Sequence, residues 1–439
     1  MRHEPSLHAA APPAIAPTSA RSARRWRRGL VALWLAACAW AVAGRLDAIR
    51  ALRLPDGDDA LRLLQVRDWL GGQGWFDLRQ YRLDPPAGAD IHWSRLVDLP
   101  LAAVIAPLRP LFGQAAAEMA AVTLAPLVTL GAAMLVLALL ARRLIDPRAW
   151  WWAPLLLLAA SPPLDMMAPL RIDHHGWQIV AVLTALLGLV AEDRRRGGIA
   201  AGLAIAGSLA IGVEMLPCLA LGVALAAIGW LADEREGARL RWLCLAAGVG
   251  TLAGLFVFAP PAARFGAACD ALSAAYAAPL WAGGALLAAG TLRGRTSAAR
   301  AGWIAAAGLA AGAMLLVLDA GACLTDPYHA VDPAARALWL DRVSEAKPLW
   351  RQPPEVLWAS LALPLIGLGG AMLMLARAGR DMRRPWGAAL ALAALAILLA
   401  LVSTRAAVAA QALALPGAAA LGWRGRARLA ASASAAVRV

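Results

Sequence analysis

The chain alternates between long apolar runs and short polar punctuation along nearly its whole length. Runs of roughly 16–23 residues recur, each long enough to cross a hydrocarbon core of about 30 Å. A membrane β-barrel would alternate apolar and polar residues within each segment, and these runs do not. The pattern predicts helices at residues 29–44, 117–141, 149–167, 176–191, 198–213, 216–232, 241–259, 276–292, 301–320, 354–376, 386–402 and 406–423. The expected fold is all-α, a polytopic transmembrane bundle of about 12 spans with long outer loops. Residues 98–113 are apolar too, but Pro100, Pro107 and Pro110 interrupt them, so they read as a surface or re-entrant element.

The punctuation falls into two alternating sets. "ARRLIDPR", "EDRRRGG", "ADEREGARLR", "RGRTSAAR", "RAGRDMRRP" and "RGRAR" all contain Arg, as does the stretch Arg21–Arg28. This is how cytoplasmic connections look. The other set, expected outside, comprises 45–116, 168–175, the turn near Glu214, 260–275, 321–353 and the turn around Arg405. Long polar insertions occur only in this second set. The organisation expected is a basic, disordered cytoplasmic N-terminus (1–28), a membrane domain (29–423) and a cytoplasmic tail (424–439). The first apolar run is expected to be a signal anchor. Ala41-Val42-Ala43 would serve as a cleavage site if it were a signal peptide.

Composition sharpens this picture. The chain is 61% apolar with mean hydropathy +0.62, against 45–50% apolar for soluble domains. Its net charge of +14 resides largely in the inner Arg clusters, and Lys347 is the only lysine. That placement fits topology rather than a nucleic-acid footprint, and no nucleic-acid partner is expected.

Candidate chemistry lies in the outer loops. Asp56, Asp58 and Asp59 precede a helix-like "DALRLLQVRDWL", in which Leu61, Leu64 and Leu70 are expected to face apolar surface. Asp58 or Asp59 can cap that helix. Three aspartates so close also repel each other, and a cation would relieve the repulsion. In "RIDHHG", Asp173 and His175 share one side of an extended loop, and His174 points the other way. Carboxylate with imidazole suits Mn²⁺ or Zn²⁺, and carboxylate with water suits Mg²⁺. The alternative is a pair that only bonds loop backbone. The late loop carries a short amphipathic "ALWLDRV" followed by "SEAKP" with Glu345. Asp59, Asp173, His175 and Glu345 thus come from three loops expected on one membrane face.

"DGDDALRLLQVRDW", "DHHG", "RVSEAKP" and "STRAAVAAQALALPG" resemble, in order, four landmarks of oligosaccharyltransferase catalytic subunits. The likeness is to the membrane part of the single-subunit archaeal and bacterial enzymes. It implies a GT-C-like glycosyltransferase using a polyprenyl-(di)phosphate-linked sugar and Mg²⁺ or Mn²⁺. Carried over by residue, it implies that Asp59, Asp173, His175 and Glu345 hold the metal, that Asp59 and Glu345 are catalytic, and that Arg405 binds the donor diphosphate. Asp59 is preferred to Asp58 because family members tend to have an Asp nine residues later, here Asp68. Asp58, His174, His92, Arg95 and Lys347 are further candidates for donor or acceptor contacts, among loop aromatics such as Trp93, Tyr328 and Trp339.

The family also carries a soluble domain with a Trp-Trp-Asp motif that reads Asn-x-Ser/Thr acceptors. The tryptophans at 150–152 lie at the inner end of a span and do not match it. The acceptor expected is a glycan, a lipid or another protein site, with a partner chain able to supply recognition. The setting implied is a bacterial inner membrane, with membrane lipid around the bundle and the site facing the periplasm. There Cys269 and Cys323 can pair, or remain two free thiols. A transporter or flippase of lipid-linked or small substrates is the alternative. It would place its charges mid-span and show inverted repeats.

Overall fold

The computed structural model of the chain describes residues 20–436, apart from 267, 319, 322, 324–330 and 339. It is an all-α bundle of the GT-C-like type, whose only described strands are the short antiparallel pair Arg79–Gln80 and Ala89–Asp90. The helices are α1 (Ala20–Arg50), α2 (Gly57–Leu70), α3 (Arg95–Phe112), α4 (Gln114–Leu144), α5 (Trp152–Leu157), α6 (Ser161–Asp165), α7 (His175–Val190) and α8 (Arg194–Ile211). They continue as α9 (Leu216–Ala232), α10 (Gly237–Phe258), α11 (Ala274–Arg293), α12 (Ser297–Val317), α13 (Pro333–Leu338), α14 (Pro354–Ala376), α15 (Arg380–Val402) and α16 (Ala407–Ala436).

Eight of these, α1, α4, α10, α11, α12, α14, α15 and α16, are long and apolar enough to cross a membrane. α7 and α9 are shorter apolar helices. Side chains such as Leu309, Leu316, Val317 and Val249 point outward from the bundle. That is costly in water and natural against lipid.

The structure departs from the predicted elements in three places. The run 149–167 is not one helix. A 3-10 turn at Ala149–Trp151 leads into α5 and then α6, because Pro162 and Pro163 restart the helix after a break at Ala160. The basic stretch ending at Arg28 belongs to α1 rather than to a disordered segment, and residues 1–19 lie outside those described. α16 runs on through the expected tail to Ala436. Residues 95–112 form a single helix despite three internal prolines. It buries Val97, Leu101, Ala102 and Ile105 and leaves Leu111 and Phe112 exposed.

Close helix packing relies on small residues, as in membranes generally. α8 meets α10 at Gly198 and Gly202, where a Cβ would collide with the carbonyl oxygens of Arg239 and Leu243. α14 meets α16 in the same way at Gly370 and Gly417.

The connections gather in two groups at opposite ends of the bundle. At one end Glu236, buried, takes Arg194 at 2.6 Å, Arg239 at 2.8 Å and Arg384 at 2.7 Å. This ties the starts of α8, α10 and α15 together. At the other end Asp59 bonds residues 172–173, His174 reaches Glu214, His92 meets Asp270, and Cys269 is joined to Cys323 with a Cα–Cα separation of 4.8 Å.

Candidate functional site

The site is built where α2 and the start of α7 face each other. Asp56, not Asp58 or Asp59, is the N-cap of α2: its carboxylate accepts from the Asp58 and Asp59 backbone N–H groups at 3.0 and 3.1 Å. That cap sets which way each following aspartate points. Asp59 turns inward and is fully buried. One of its oxygens accepts from the backbone N–H of Ile172 (2.8 Å) and Asp173 (3.0 Å), and the other pairs with Arg171 at 2.9 Å. Burial pushes its carboxyl up to about 7, against the pull of Arg171. Asp58 is exposed, and no hydrogen bond to its carboxylate occurs among the described residues. Partial desolvation by the surrounding protein, then the negative charges of Asp173, Asp56 and Glu345, push its carboxyl up, while His175 pulls it down. Asp58 thus feels the charges of Asp173, His175 and Glu345, while Asp59 feels Asp173 and bonds its backbone.

The buried face of α2 is not the leucine stripe expected. It consists of Asp59, Arg62, Leu63, Gln65 and Val66, while Leu61 and Leu64 are half-buried. The buried charges have partners on α3: Arg62 to Asp98 at 2.8 Å and Arg95 to Asp98 at 3.1 Å. Arg95 is fully buried and also donates to the Gln65 and Asp77 carbonyls, so it braces the loop and is not open to a head group, contrary to expectation. Arg62 lies over Trp93, 4.8 Å from the ring centroid, and Trp93 in turn sits 6.3 Å from the His174 ring.

Asp173 and both histidines follow immediately. Asp173 Oδ1 accepts from the His174 backbone N–H at 2.6 Å and lies 2.5 Å from His174 Nδ1. Asp173 Oδ2 lies 3.2 Å from His175 Nε2, so the two residues expected to share a side do meet. His174 does not point away: its Nε2 is 2.8 Å from Glu214 Oε1. Gln178 closes the group, with His175 Nδ1 at 3.1 Å from its Oε1 and its amide N–H donated to Glu214. Burial opposes charge on Asp173, Glu214 and His174, and their neighbours counter it. Asp173 is held well below the usual carboxylate range by His175 and His174, and Glu214 well below it by His174. His174, between two carboxylates, is raised to about 9.

Glu214 was not singled out from the sequence. Its only signal there is a lone carboxylate in a short turn between apolar helices. Ligand atoms of His174, His175 and Glu214 all fall within 4.8 Å of one another.

On the far wall, Glu345 lies in a 3-10 turn, Ser344–Ala346, and pairs with Arg405 of the turn Thr404–Ala406. The two turns are laced together. Thr404 donates to the Lys347 carbonyl from its N–H (3.0 Å) and hydroxyl (2.8 Å), and Ser403 donates to the Glu345 carbonyl. The Lys347 side chain is half-buried beside them. His92 stands to one side with Asp270 at 3.3 Å. Tyr328 and Trp339 lie outside the described residues.

Three solved structures share this arrangement of helices. The archaeal oligosaccharyltransferase AglB from Archaeoglobus fulgidus, in complex with an inhibitory peptide and a dolichol-phosphate, matches with TM-score 0.64 at 17% identity over 93% of this chain and 52% of its own. The apo form of the Archaeoglobus fulgidus enzyme matches with TM-score 0.59 at 16% identity, over 93% of this chain and 52% of its own. The complex with Zn and sulfate matches with 0.56 at 15%, over 88% and 48%. The chain has an oligosaccharyltransferase fold. The chain spans about half the length of the solved structures it matches. No family model and no curated protein matches it.

Proposed function

We propose that the chain is an integral membrane glycosyltransferase that moves a sugar or oligosaccharide from a polyprenyl-(di)phosphate carrier to an acceptor at the Asp58 end of the bundle. The observation that carries this is the Asp173–His175 contact and the Glu345–Arg405 pair, both within electrostatic reach of Asp58, in an oligosaccharyltransferase fold. The donor chemistry suits a divalent cation: Asp173 and Glu345 raise the proton affinity of Asp58, an imidazole nitrogen of His175 stands 3.2 Å from an Asp173 oxygen, and the ligand atoms that converge within 4.8 Å are those of His174, His175 and Glu214. Asp58, Asp173, His175 and Glu345 would hold Mg²⁺ or Mn²⁺, with Asp59 fixing the loop that carries two of them. Bound there, the ion supplies Lewis-acid stabilisation of charge on a leaving phosphate.

In the reaction the bond between the anomeric carbon and the phosphate oxygen breaks, and a new bond from that carbon to the acceptor forms. The bonding electrons leave with the phosphate, and the acceptor's proton passes to a carboxylate and then to water. Arg405, whose guanidinium rests on Glu345, lies where a diphosphate oxygen can replace that carboxylate as its acceptor. Fixed positive charge placed where negative charge develops lowers the barrier. Asp58 and Glu345 can receive and orient the acceptor's proton. The lipid tail of the donor would lie among the helices, as membrane lipid does. A bacterial inner membrane, with this end toward the periplasm, fits the Arg-rich opposite end.

The test is consumption of an undecaprenyl-linked sugar by the purified chain in nanodiscs, with Mn²⁺, with Mg²⁺ and with EDTA. Cleavage that needs metal and is lost in Asp173→Ala and Glu345→Ala is expected. Full turnover in EDTA would overturn the metal. Passage of intact donor across the bilayer without cleavage would overturn the transferase in favour of a flippase.

A further inference from the structure

A cavity of about 360 Å³ opens at the arginine end of the bundle, between α7, α9 and α15. Most of its wall is apolar: Leu189 of α7, Leu225, Ala226 and Ile228 of α9, and Ala388 of α15. Glycine keeps it open, because Gly387 lines it and a Cβ there would meet nothing within 4 Å. Ile228 is 58% exposed, so the cavity reaches the outer face of the bundle. Its polar end holds Glu236, Arg239 and Arg384. Arg194 takes one oxygen of Glu236, and Arg239 and Arg384 share the other. Even with Asp233, exposed and 4.0 Å from Arg194, three guanidinia face two carboxylates. Arg239 is buried and donates its remaining nitrogens to the Gly188 and Ala191 carbonyls. Arg384 is different. Its side chain is 40% exposed and, among the described residues, bonds only Glu236. A guanidinium carries five N–H donors, so most of those on Arg384 are open to a ligand.

We propose that this cavity binds one anionic phospholipid, with the phosphate on Arg384 and an acyl chain along α9 and α15. The site lies at the opposite end from Asp58 and does not rest on the transferase reading. Charge complementarity selects the occupant. Guanidinium and phosphate match in geometry and sign, and basic pockets between spanning helices suit anionic head groups. A zwitterionic lipid would bring its own cation to a pocket that is already positive. Depth agrees. Arg384 is the fifth residue of α15, and Gly229 lies three residues before the end of α9. At 1.5 Å per residue both sit about 5 Å inside their helix ends. A bilayer passes from head group to hydrocarbon at such a depth. A free phosphate would meet the same guanidinium and leave the apolar wall bare, whereas a lipid uses both ends of the cavity.

The test is native mass spectrometry of the full chain in detergent, titrated with phosphatidylglycerol, with phosphatidylcholine of the same acyl chains, and with glycerol phosphate. The first phosphatidylglycerol should bind at concentrations about fivefold lower than phosphatidylcholine, the effect of one net positive charge near a membrane surface. Arg384→Gln should weaken that first binding by about 10–100-fold, the loss of a charged hydrogen bond, and bring the two lipids together. Arg384 also pairs with Glu236, so Gly387→Leu gives a second reading. It fills the cavity, leaves every charge in place, and should remove the same tight site. The thermal midpoint of the wild type should rise with phosphatidylglycerol and not with glycerol phosphate, and that of Gly387→Leu with neither. Equal affinity of the wild type for the two lipids overturns the proposal, as does phosphatidylglycerol binding unchanged in either variant. Glycerol phosphate bound as tightly as the lipid also overturns it, since the site would then hold an anion alone.

Discussion

Two adjacent aspartates should answer to different assays. Replacing Asp59 by Ala strips the Ile172 and Asp173 backbone N–H groups of their acceptor and removes one partner of Arg171. Burial already raises Asp59 to about 7, so its charge is only partly present at neutral pH and the ion pair is set aside. Two buried N–H groups left unpaired cost about 1–3 kcal/mol each, so about 2–6 kcal/mol in all. Asp58 is exposed, and its carboxylate accepts no hydrogen bond among the described residues. Asp58→Ala should leave stability within about 0.5 kcal/mol, or raise it slightly by removing repulsion from Asp173 and Glu345. Its turnover of the lipid-linked sugar should nonetheless fall by about 10²-fold or more. The assay is thermal unfolding of detergent-purified protein followed by fluorescence size-exclusion, run beside donor turnover. An Asp59→Ala protein as heat-stable as wild type but inactive, together with a fully active Asp58→Ala, would exchange the two roles and refute the argument.

Gly212→Ala should mimic loss of Glu214, lowering Mn²⁺ affinity measured by titration, because its Cβ occupies the space of the Glu214–Gln178 contact; unchanged affinity would show that the turn yields. Cys323→Ser opens a link across 54 residues, and loop-closure entropy caps the loss at about 4 kcal/mol. A thermal midpoint indifferent both to this change and to reductant would contradict the linkage. Arg95→Ala leaves Asp98 with Arg62 alone in a buried site, at a cost of about 3–5 kcal/mol. It should appear as lost folded protein on size-exclusion, not as a raised KM.

Hydropathy alone located the bundle because each span is a long-wavelength feature that no single residue decides. The exception, 149–167, broke at Ser161-Pro162-Pro163, a local signal outweighed by the apolar run around it. Asp173, His175, Glu345 and Arg405 could be picked out because they are charged residues at span edges. The choice between Asp58 and Asp59 was harder. It depends on where α2 starts, and a helix start shifted by one residue rotates each side chain by about 100°. With Asp56 as the cap, Asp59 turns onto residues 172–173 and Asp58 stays exposed. The inward charges of α2 were hidden because their partner, Asp98, lies on a different helix. Arg95 did carry a hint, an acidic residue three positions on, within reach on one helix face. Glu214 gave almost none. Its partners lie 36 and 40 residues earlier, and only the packing of α7 against the turn after α8 brings them together.

The carboxylate of Glu236 acts as a rivet through the bundle. Its three guanidinium partners come from the starts of α8, α10 and α15, and Arg239 also holds the end of α7 through the carbonyl oxygens of Gly188 and Ala191. Parting these helices there would strip a buried charge of its counter-ions, a loss of about 3–5 kcal/mol. Any change in the spacing of these four helices therefore meets a fixed point at the arginine end.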